Sequence, residues 1–292
     1  MTRANDSHAF DVTLPPPKIG LAYRLPLSSW VMSRPPGLEC LEITAEHFYR
    51  LDGAPLRRLA KRYPLAVRTS RLSLGTPGPL DQSELERLDA VVSTADPLWI
   101  SEHLGFRRAG DVDLGCPQPV SLTHESLALF VEHAREIMAR CRRRLLLENI
   151  ASSLSIRGAV AEPDFLNRFC EDSGAGMLLD LTSLVVNARI HRFDPQEWLR
   201  RIETDRVVAV HVGHAAREDG RWVVRHEGRV DEEVWNLAGG LLASAPGATV
   251  ILERDGKFPP AADLPAELHR IEALRRAWTP AHGPSGPGSA HP

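Results

Sequence analysis

Short apolar runs bounded by polar or turn-forming residues recur along the chain: KIGLAYR (18–24), LECLEIT (38–44), PLAVRTS (64–70), PLWISEH (97–103), RRLLLEN (143–149), GMLLDL (176–181), RVVAVHV (206–212) and ATVILER (248–254). Each reads as a strand, giving eight. Between most of them the apolar residues recur every three to four positions, as at 83–95, 125–141 and 163–174, which predicts helices. Start signals sharpen several of these: Ser83 with Glu86 in capping-box spacing, Thr123 ahead of Glu125, and Asp194-Pro195 before QEWLRRIE. Strands alternating with helices imply a parallel sheet. Eight units in about 250 residues match the size at which such a sheet closes on itself. A doubly wound sheet would more often show a Gly-rich phosphate turn after its first strand, and none is present here. The expected fold is α/β, a single (β/α)8 TIM-type barrel over residues 18–278. Polar, Pro-rich 1–17 and the Gly/Pro-rich tail 279–292 are expected to be disordered.

Composition narrows the function classes. With 43% hydrophobic residues in 292, the chain has enough apolar material for a sizeable core. Thirty-five basic residues against 38 acidic ones give a net charge of −3 with no basic stripe, which argues against nucleic acid and anionic membrane as partners. Cys40, Cys116, Cys141 and Cys170 form no CxxC pair and read as reduced core thiols. The N-terminal residues carry no apolar signal region, and no stretch reaches the roughly 18 apolar residues of a membrane span, so the expected location is cytoplasmic.

Candidate chemistry sits at the strand ends. A polar group closing an apolar strand is costly to bury without a partner, yet this chain places one there repeatedly. The third strand ends in Arg68, the fourth in Ser101-Glu102-His103, the fifth in Glu148-Asn149, the sixth in Asp180, the seventh in His211 and the eighth in Glu253-Arg254-Asp255. In a closed barrel these ends meet on the face where barrel enzymes place their sites. Any one alone reads as an ion pair or a hydrogen-bonded histidine. Together, Glu148, Asp180, His211 and Glu253 offer three carboxylates and one imidazole, a set suited to Zn, Mn or Fe. Carboxylates so close would repel one another unless a cation neutralised them. His103 extends the set on one side and His226, in RWVVRHEGR (221–229), on the other. Six candidates suggest two ions bridged by a carboxylate, with Glu148 the expected bridge and Asn149 holding a carboxylate or substrate by hydrogen bonds.

At these residues the chain resembles a known family, the DUF692 proteins, also called multinuclear non-heme iron-dependent oxidases, which include the methanobactin biosynthetic oxidase. The resemblance runs from about Gly20 to about Pro260 through LEITAEHFY (41–49), LSLGTPGPLD (72–81), SEHLGF (101–106), LLLENIASSL (145–154), LLDLTSLVVNARIHRFD (178–194), HVGH (211–214) and LERD (252–255). It implies a (β/α) barrel that binds two or three irons and uses O2 to oxidise cysteine, or another residue, of a ribosomally made precursor peptide, often with a partner protein that recognises the leader. Carried over by motif, the iron ligands are His103, Glu148, Asp180, His211, His226 and Glu253. The chain departs from the family pattern at Arg68-Thr69, where the family has His-Gly, and at Thr182-Ser183, where it has Asn-Asn. Val224 stands in place of an Asp, and the second His of that loop is replaced near Gly228. These departures imply one or two irons rather than three. Only His211 of HVGH carries over, His214 reading as a loop residue. His191 matches a family histidine but also fits a loop or packing role. The central quartet further resembles the single-metal centre of sugar-isomerase-like barrels, the xylose-isomerase type.

Three functions follow as expectations. The first is an iron-dependent oxidase acting on a peptide side chain, a cysteine above all, with Arg68 anchoring substrate charge or else ion-paired with Glu42 or Glu102. The second is a degenerate member that binds a peptide or partner without turnover. The third is a single-metal isomerase or hydrolase of a sugar-like substrate, using Mn, Mg or Zn. Substrate specificity is expected in loops 107–122 and 215–230.

Overall fold

The computed structural model describes residues 16–50, 52–156, 158–256, 258 and 263–278. Apart from residues 16 and 17, the two terminal segments expected to be disordered lie outside the described residues. The eight expected runs form eight strands: β1 (Ile19–Ala22), β2 (Cys40–Thr44), β3 (Leu65–Arg68), β4 (Ile100–His103), β7 (Leu145–Glu148), β8 (Gly176–Asp180), β9 (Val207–Val212) and β12 (Thr249–Leu252). Hydrogen bonding runs β1-β12-β9-β8-β7-β4-β3-β2 and returns to β1, all parallel, as a closed barrel. Two exposed hairpins complete the strand list at the places expected to be loops: β5 (Phe106–Ala109) with β6 (Val112–Gln118), and β10 (Ala215–Glu218) with β11 (Arg221–Val224). The second turns on Asp219 and Gly220, both at positive φ (47° and 79°), the conformation that an Asp-Gly pair supplies to a tight hairpin.

The helices follow the predicted patterns at Gln82–Ala95, His124–Cys141 and Glu162–Ser173. Thr123 caps its helix through a box with Ser126, and Asp194 caps the one beginning at Pro195. Ser83 is not a cap. The helix starts one residue before it because Asp81 accepts from the Ser83 and Glu84 amides, and a carboxylate can satisfy two such orphan donors at once. Cys40, Cys141 and Cys170 are buried as expected, but Cys116 is exposed on β6, outside any core. Among the described residues no helix is long and apolar enough to cross a membrane.

The pairing register decides what each strand residue faces, because side chains alternate across a strand. Leu21, Leu41, Val67, Leu147, Leu179, Val210 and Leu252 share one parity and pack into the main core beneath the helices. Each such side chain contributes about 1.5–3 kcal/mol by leaving water. The opposite parity lines the lumen. Ala22, Ala66, Trp99, Leu146, Leu178, Ala209 and Ile251 form a separate apolar cluster that fills it. The next inward position at the C-terminal mouth is Arg68, Glu148, Asp180, His211 or Glu253 on five of these strands, whereas on β4 Ser101 comes before His103.

Candidate metal centre

The register runs Ala22 beside Glu42, Glu42 beside Ala66, Arg68 beside Ser101, His103 beside Glu148, and Asp180 beside His211, which adjoins Ile251. Glu42, Arg68, His103, Glu148, Asp180 and His211 therefore end on the same inward parity, and Glu253 follows β12 directly. His226 joins from the loop after β11. Its backbone is left-handed (φ 49°), its N–H donates to the His214 carbonyl, and its own carbonyl accepts from the Asp255 amide. The ring rests against Gly213, where an added Cβ would stand only 1.9 Å from Nδ1. Gly213→Ala is accordingly expected to push His226 off Glu253 and lower metal affinity at least tenfold with little change in fold content. Titration of the purified variant with Mn(II) checks this, and wild-type affinity would refute it.

Among the described residues, two overlapping groups have donor atoms close enough to hold an ion: Glu42, His211 and Glu253, and Asp180, His226 and Glu253. The carboxylate common to both is Glu253, not Glu148, the expected bridge. His211 Nε2 lies 3.1 Å from Glu42 Oε2, and its Nδ1 lies 3.1 Å from Glu148 Oε1 and 3.5 Å from Glu253 Oε2. His226 Nε2 lies 3.0 Å from Glu253 Oε2. Glu42, expected from the sequence only as an ion-pair partner of Arg68, is a ligand candidate. Its signal was a charged residue at the inward parity of β2.

Arg68 pairs with neither Glu42 nor Glu102. Its Nη1 donates to Glu253 Oε1 at 2.8 Å, its Nε stands 3.3 Å from Glu148 Oε2, and its Nη2 donates to His103 Nε2 at 2.7 Å. Those carboxylates come from across the lumen, within reach only once the barrel closes. Glu102 instead takes the His103 Nδ1–H at 3.0 Å and the Leu72 amide at 3.1 Å. The Asn149 amide nitrogen donates to the Asp180 carbonyl and its oxygen accepts from the Asp180 amide, at 3.0 and 2.9 Å. Asp180 also caps the helix Leu181–His191, accepting from the Thr182 and Ser183 amides and from the Ser183 hydroxyl. Thr182-Ser183 thus holds the Asp180 carboxylate in place. His191 binds the Ser152 carbonyl (2.8 Å) and His214 sits 3.4 Å from Asp231, so neither reaches the centre.

The residues present fit a cation. Among the described residues Glu42 Oε1 and Glu148 Oε2 are buried without a hydrogen-bond partner, a condition costing about 1–3 kcal/mol per atom, and His211 Nε2 makes no hydrogen bond although Glu42 Oε2 stands 3.1 Å away. Protons respond to the same field. Burial pulls the His211 imidazole down, but Glu42, Glu253 and Glu148 override it and hold the ring well above its ordinary value. His226 is likewise raised, against burial, by Glu253 and Asp180. Burial pushes Glu253 up, yet His226, His211 and Arg68 carry it well below the usual range; burial pushes Glu148 up as well, but Arg68 and His211 outweigh it and bring Glu148 to about 2. Asp180 is raised by burial and by Glu253 and Glu148. A metal must displace the imidazole protons. Apparent affinity for Zn(II) should therefore climb with pH through neutrality, with proton release visible by calorimetry in buffers of differing ionisation enthalpy. Equal affinity at pH 6 and 8 would contradict this picture.

The geometry agrees with what comparison with known proteins shows. The family of RiPP precursor modification enzymes MbnB/TglH/ChrH matches residues 18–276. A UPF0276 protein of Rhizorhabdus wittichii is 30% identical over 248 residues, covering 83% of this chain and 88% of its own length. Another UPF0276 protein, from Bordetella pertussis, is 32% identical over 268 residues, covering 88% and 92%. Among solved structures, a xylose isomerase domain protein from Planctomyces limnophilus superposes with a TM-score of 0.60 at 15% identity, covering 90% of this chain and 99% of its own. D-psicose 3-epimerase from Clostridium cellulolyticum gives 0.59 at 14%, covering 89% and 96%. At that identity the two likenesses establish the fold, a xylose-isomerase-like TIM barrel. With its barrel, its mouth of carboxylates and histidines and its match over residues 18–276, this chain belongs to the RiPP precursor modification enzyme family MbnB/TglH/ChrH, the DUF692 family of the UPF0276 proteins.

Proposed function

We propose that this chain is an iron-dependent oxidase that modifies a side chain, a cysteine, of a ribosomally synthesised precursor peptide. The family supplies the precursor peptide as the class of substrate. The observation that carries the rest is the pair of buried carboxylate and histidine groups joined through Glu253 at the barrel mouth. Glu42, His211 and Glu253 would hold one ion, and Asp180, His226 and Glu253 the second. Iron held there would supply the reduction of O2 and the one-electron oxidation of a thiolate placed beside it.

The chain's own residues do the positioning. His211 is held from three sides by carboxylates, and Asn149 and Ser183 lock Asp180, so the ligands need little reorganisation when an ion or substrate arrives. Glu148 and Glu253 side chains are 1% exposed and His211 0%, which keeps water off the centre, whereas Arg68 at 20% and His103 at 10% mark the side open to substrate. A cavity of about 460 Å3 has among its walls Leu104 and Ile150, which directly follow His103 and Asn149 in the chain, and the exposed Leu154 and Ile156, although none of the candidate ligands lines it. Such a wall suits apolar side chains flanking a modified cysteine. A partner that recognises the leader of the peptide belongs to the same proposal.

The test is anaerobic loading with Fe(II), desalting, and then O2 uptake with full-length Cys-containing precursor peptides encoded beside the gene, against their Cys→Ser forms. Retained iron, Cys-dependent O2 consumption and a mass change of the peptide are expected. Iron retained with no O2 consumption across these peptides would favour a protein that binds its peptide without turning it over. Oxygen-independent turnover of a sugar with Mn(II) or Zn(II) would replace the oxidase by an isomerase.

A further inference from the structure

The Arg68 guanidinium lies inside the ligand cluster, not beside it. Its three nitrogens face Glu253 Oε1 at 2.8 Å, Glu148 Oε2 at 3.3 Å and His103 Nε2 at 2.7 Å. Two carboxylate oxygens and one imidazole nitrogen are what a metal ion asks for. His103 is already prepared to be a ligand: Glu102 takes the proton on Nδ1, which leaves the Nε2 lone pair pointing inward, and Arg68 occupies it. A carboxylate behind a histidine is the usual device for orienting a metal-bound imidazole. Glu148 Oε2 gives an independent indication. It is buried, its side chain is 1% exposed, and although Arg68 Nε is within 3.3 Å it accepts no hydrogen bond. The guanidinium neutralises this oxygen without bonding it properly.

We propose that Arg68 acts as a built-in cation, filling a position among His103, Glu148 and Glu253 that would otherwise take a metal ion. The chain then carries two exchangeable ions and one permanent charge. An arginine cannot give up its proton in a protein, so the charge at this position is independent of pH, metal supply and redox state. Because Arg68 is also the most exposed member of the cluster, an anionic substrate group meets a guanidinium first. The inference rests on the reading of the cluster as a metal centre, and the two separate experimentally.

The decisive variant is Arg68→His, which removes the fixed charge and offers an imidazole in its place, with Arg68→Met as the variant that only vacates the position. Metal content after anaerobic loading with Fe(II), and separately with Mn(II), is measured per folded chain for the three proteins. Two ions are expected in the wild type and three in Arg68→His. In the Mn(II) form, electron paramagnetic resonance should show an additional spin-coupled ion. Arg68→Met should keep two ions. Equal stoichiometry in wild type and Arg68→His, both folded by circular dichroism, would overturn the role given to Arg68. So would loss of the bound ions in Arg68→Met, because Arg68 would then be a clamp needed to hold the ligands. The increment between the proteins tests Arg68. The wild-type value tests the metal centre, and a wild type that binds no ion would sink that reading whichever way the increment falls.

Discussion

Glu253→Gln should empty both metal groups at once. The substitution keeps the size of the side chain and removes the one carboxylate that the two groups share. Iron or manganese retained after desalting is expected to drop by at least tenfold, while Glu42→Gln should remove only the ion held with His211. The fold should survive, because His226 loses its partner but can release its proton, and His211 still has Glu42 and Glu148. A destabilisation of about 1–3 kcal/mol is the scale for a buried group left poorly paired. Metal content by mass spectrometry and a thermal melt in chelator read the two effects separately. If Glu42→Gln alone proves as damaging to metal content as Glu253→Gln, the division into two groups sharing Glu253 is wrong.

His211→Ala is expected to be the most damaging single change to the fold of the chelated protein. His211 is completely buried and touches Glu42, Glu148 and Glu253, so its removal sets three buried carboxylates against one another with only Arg68 and His226 to compensate. Breaking a buried charge set in this way costs about 3–5 kcal/mol. At about 2–4 °C of melting temperature per kcal/mol for a domain near this size, that is a loss of roughly 6–20 °C. The pH dependence carries the sign. In the chelated wild type the raised His211 contributes stability that is fully present below the ordinary imidazole value and fades as pH rises through its higher folded value. Glu253, held low, contributes stability present above the ordinary carboxylate value and lost as pH falls through its folded value. In His211→Ala this first contribution is gone, so the part of the deficit that comes from the lost imidazolium should be largest near pH 5 and narrow toward pH 8. A deficit that stays constant over this range would show that His211 is a packing residue there.

Much of this centre was legible before folding was considered. A charged or imidazole side chain that closes an otherwise apolar strand must be partnered, so Arg68, His103, Glu148, Asp180, His211 and Glu253 could be marked from their places in the chain alone. The strand count followed from the apolar runs, and the caps at Thr123 and Asp194 from local chemistry. Glu42 escaped because it stands within LEIT, inside β2 and short of its end, where alternation alone leaves open whether it faces solvent or lumen. The hairpins β5–β6 and β10–β11 escaped because their residues are largely exposed and carry little apolar pattern, although Asp219-Gly220 was a usable sign.

Strand positions, helix starts and the residue types gathered at one end are local properties, set by hydrophobic period and backbone preference, and the chain carries them residue by residue. Partnership within the mouth is not local. Besides His103 on the neighbouring β4, Arg68 meets Glu148 and Glu253, which belong to β7 and the end of β12, strands that do not pair with β3, because the closed barrel brings inward positions of separate strands within a few ångströms. The same closure makes Glu253 the carboxylate shared by both groups, brings His226 in from the loop after β11 against Gly213, and sets the Arg68 guanidinium between His103, Glu148 and Glu253.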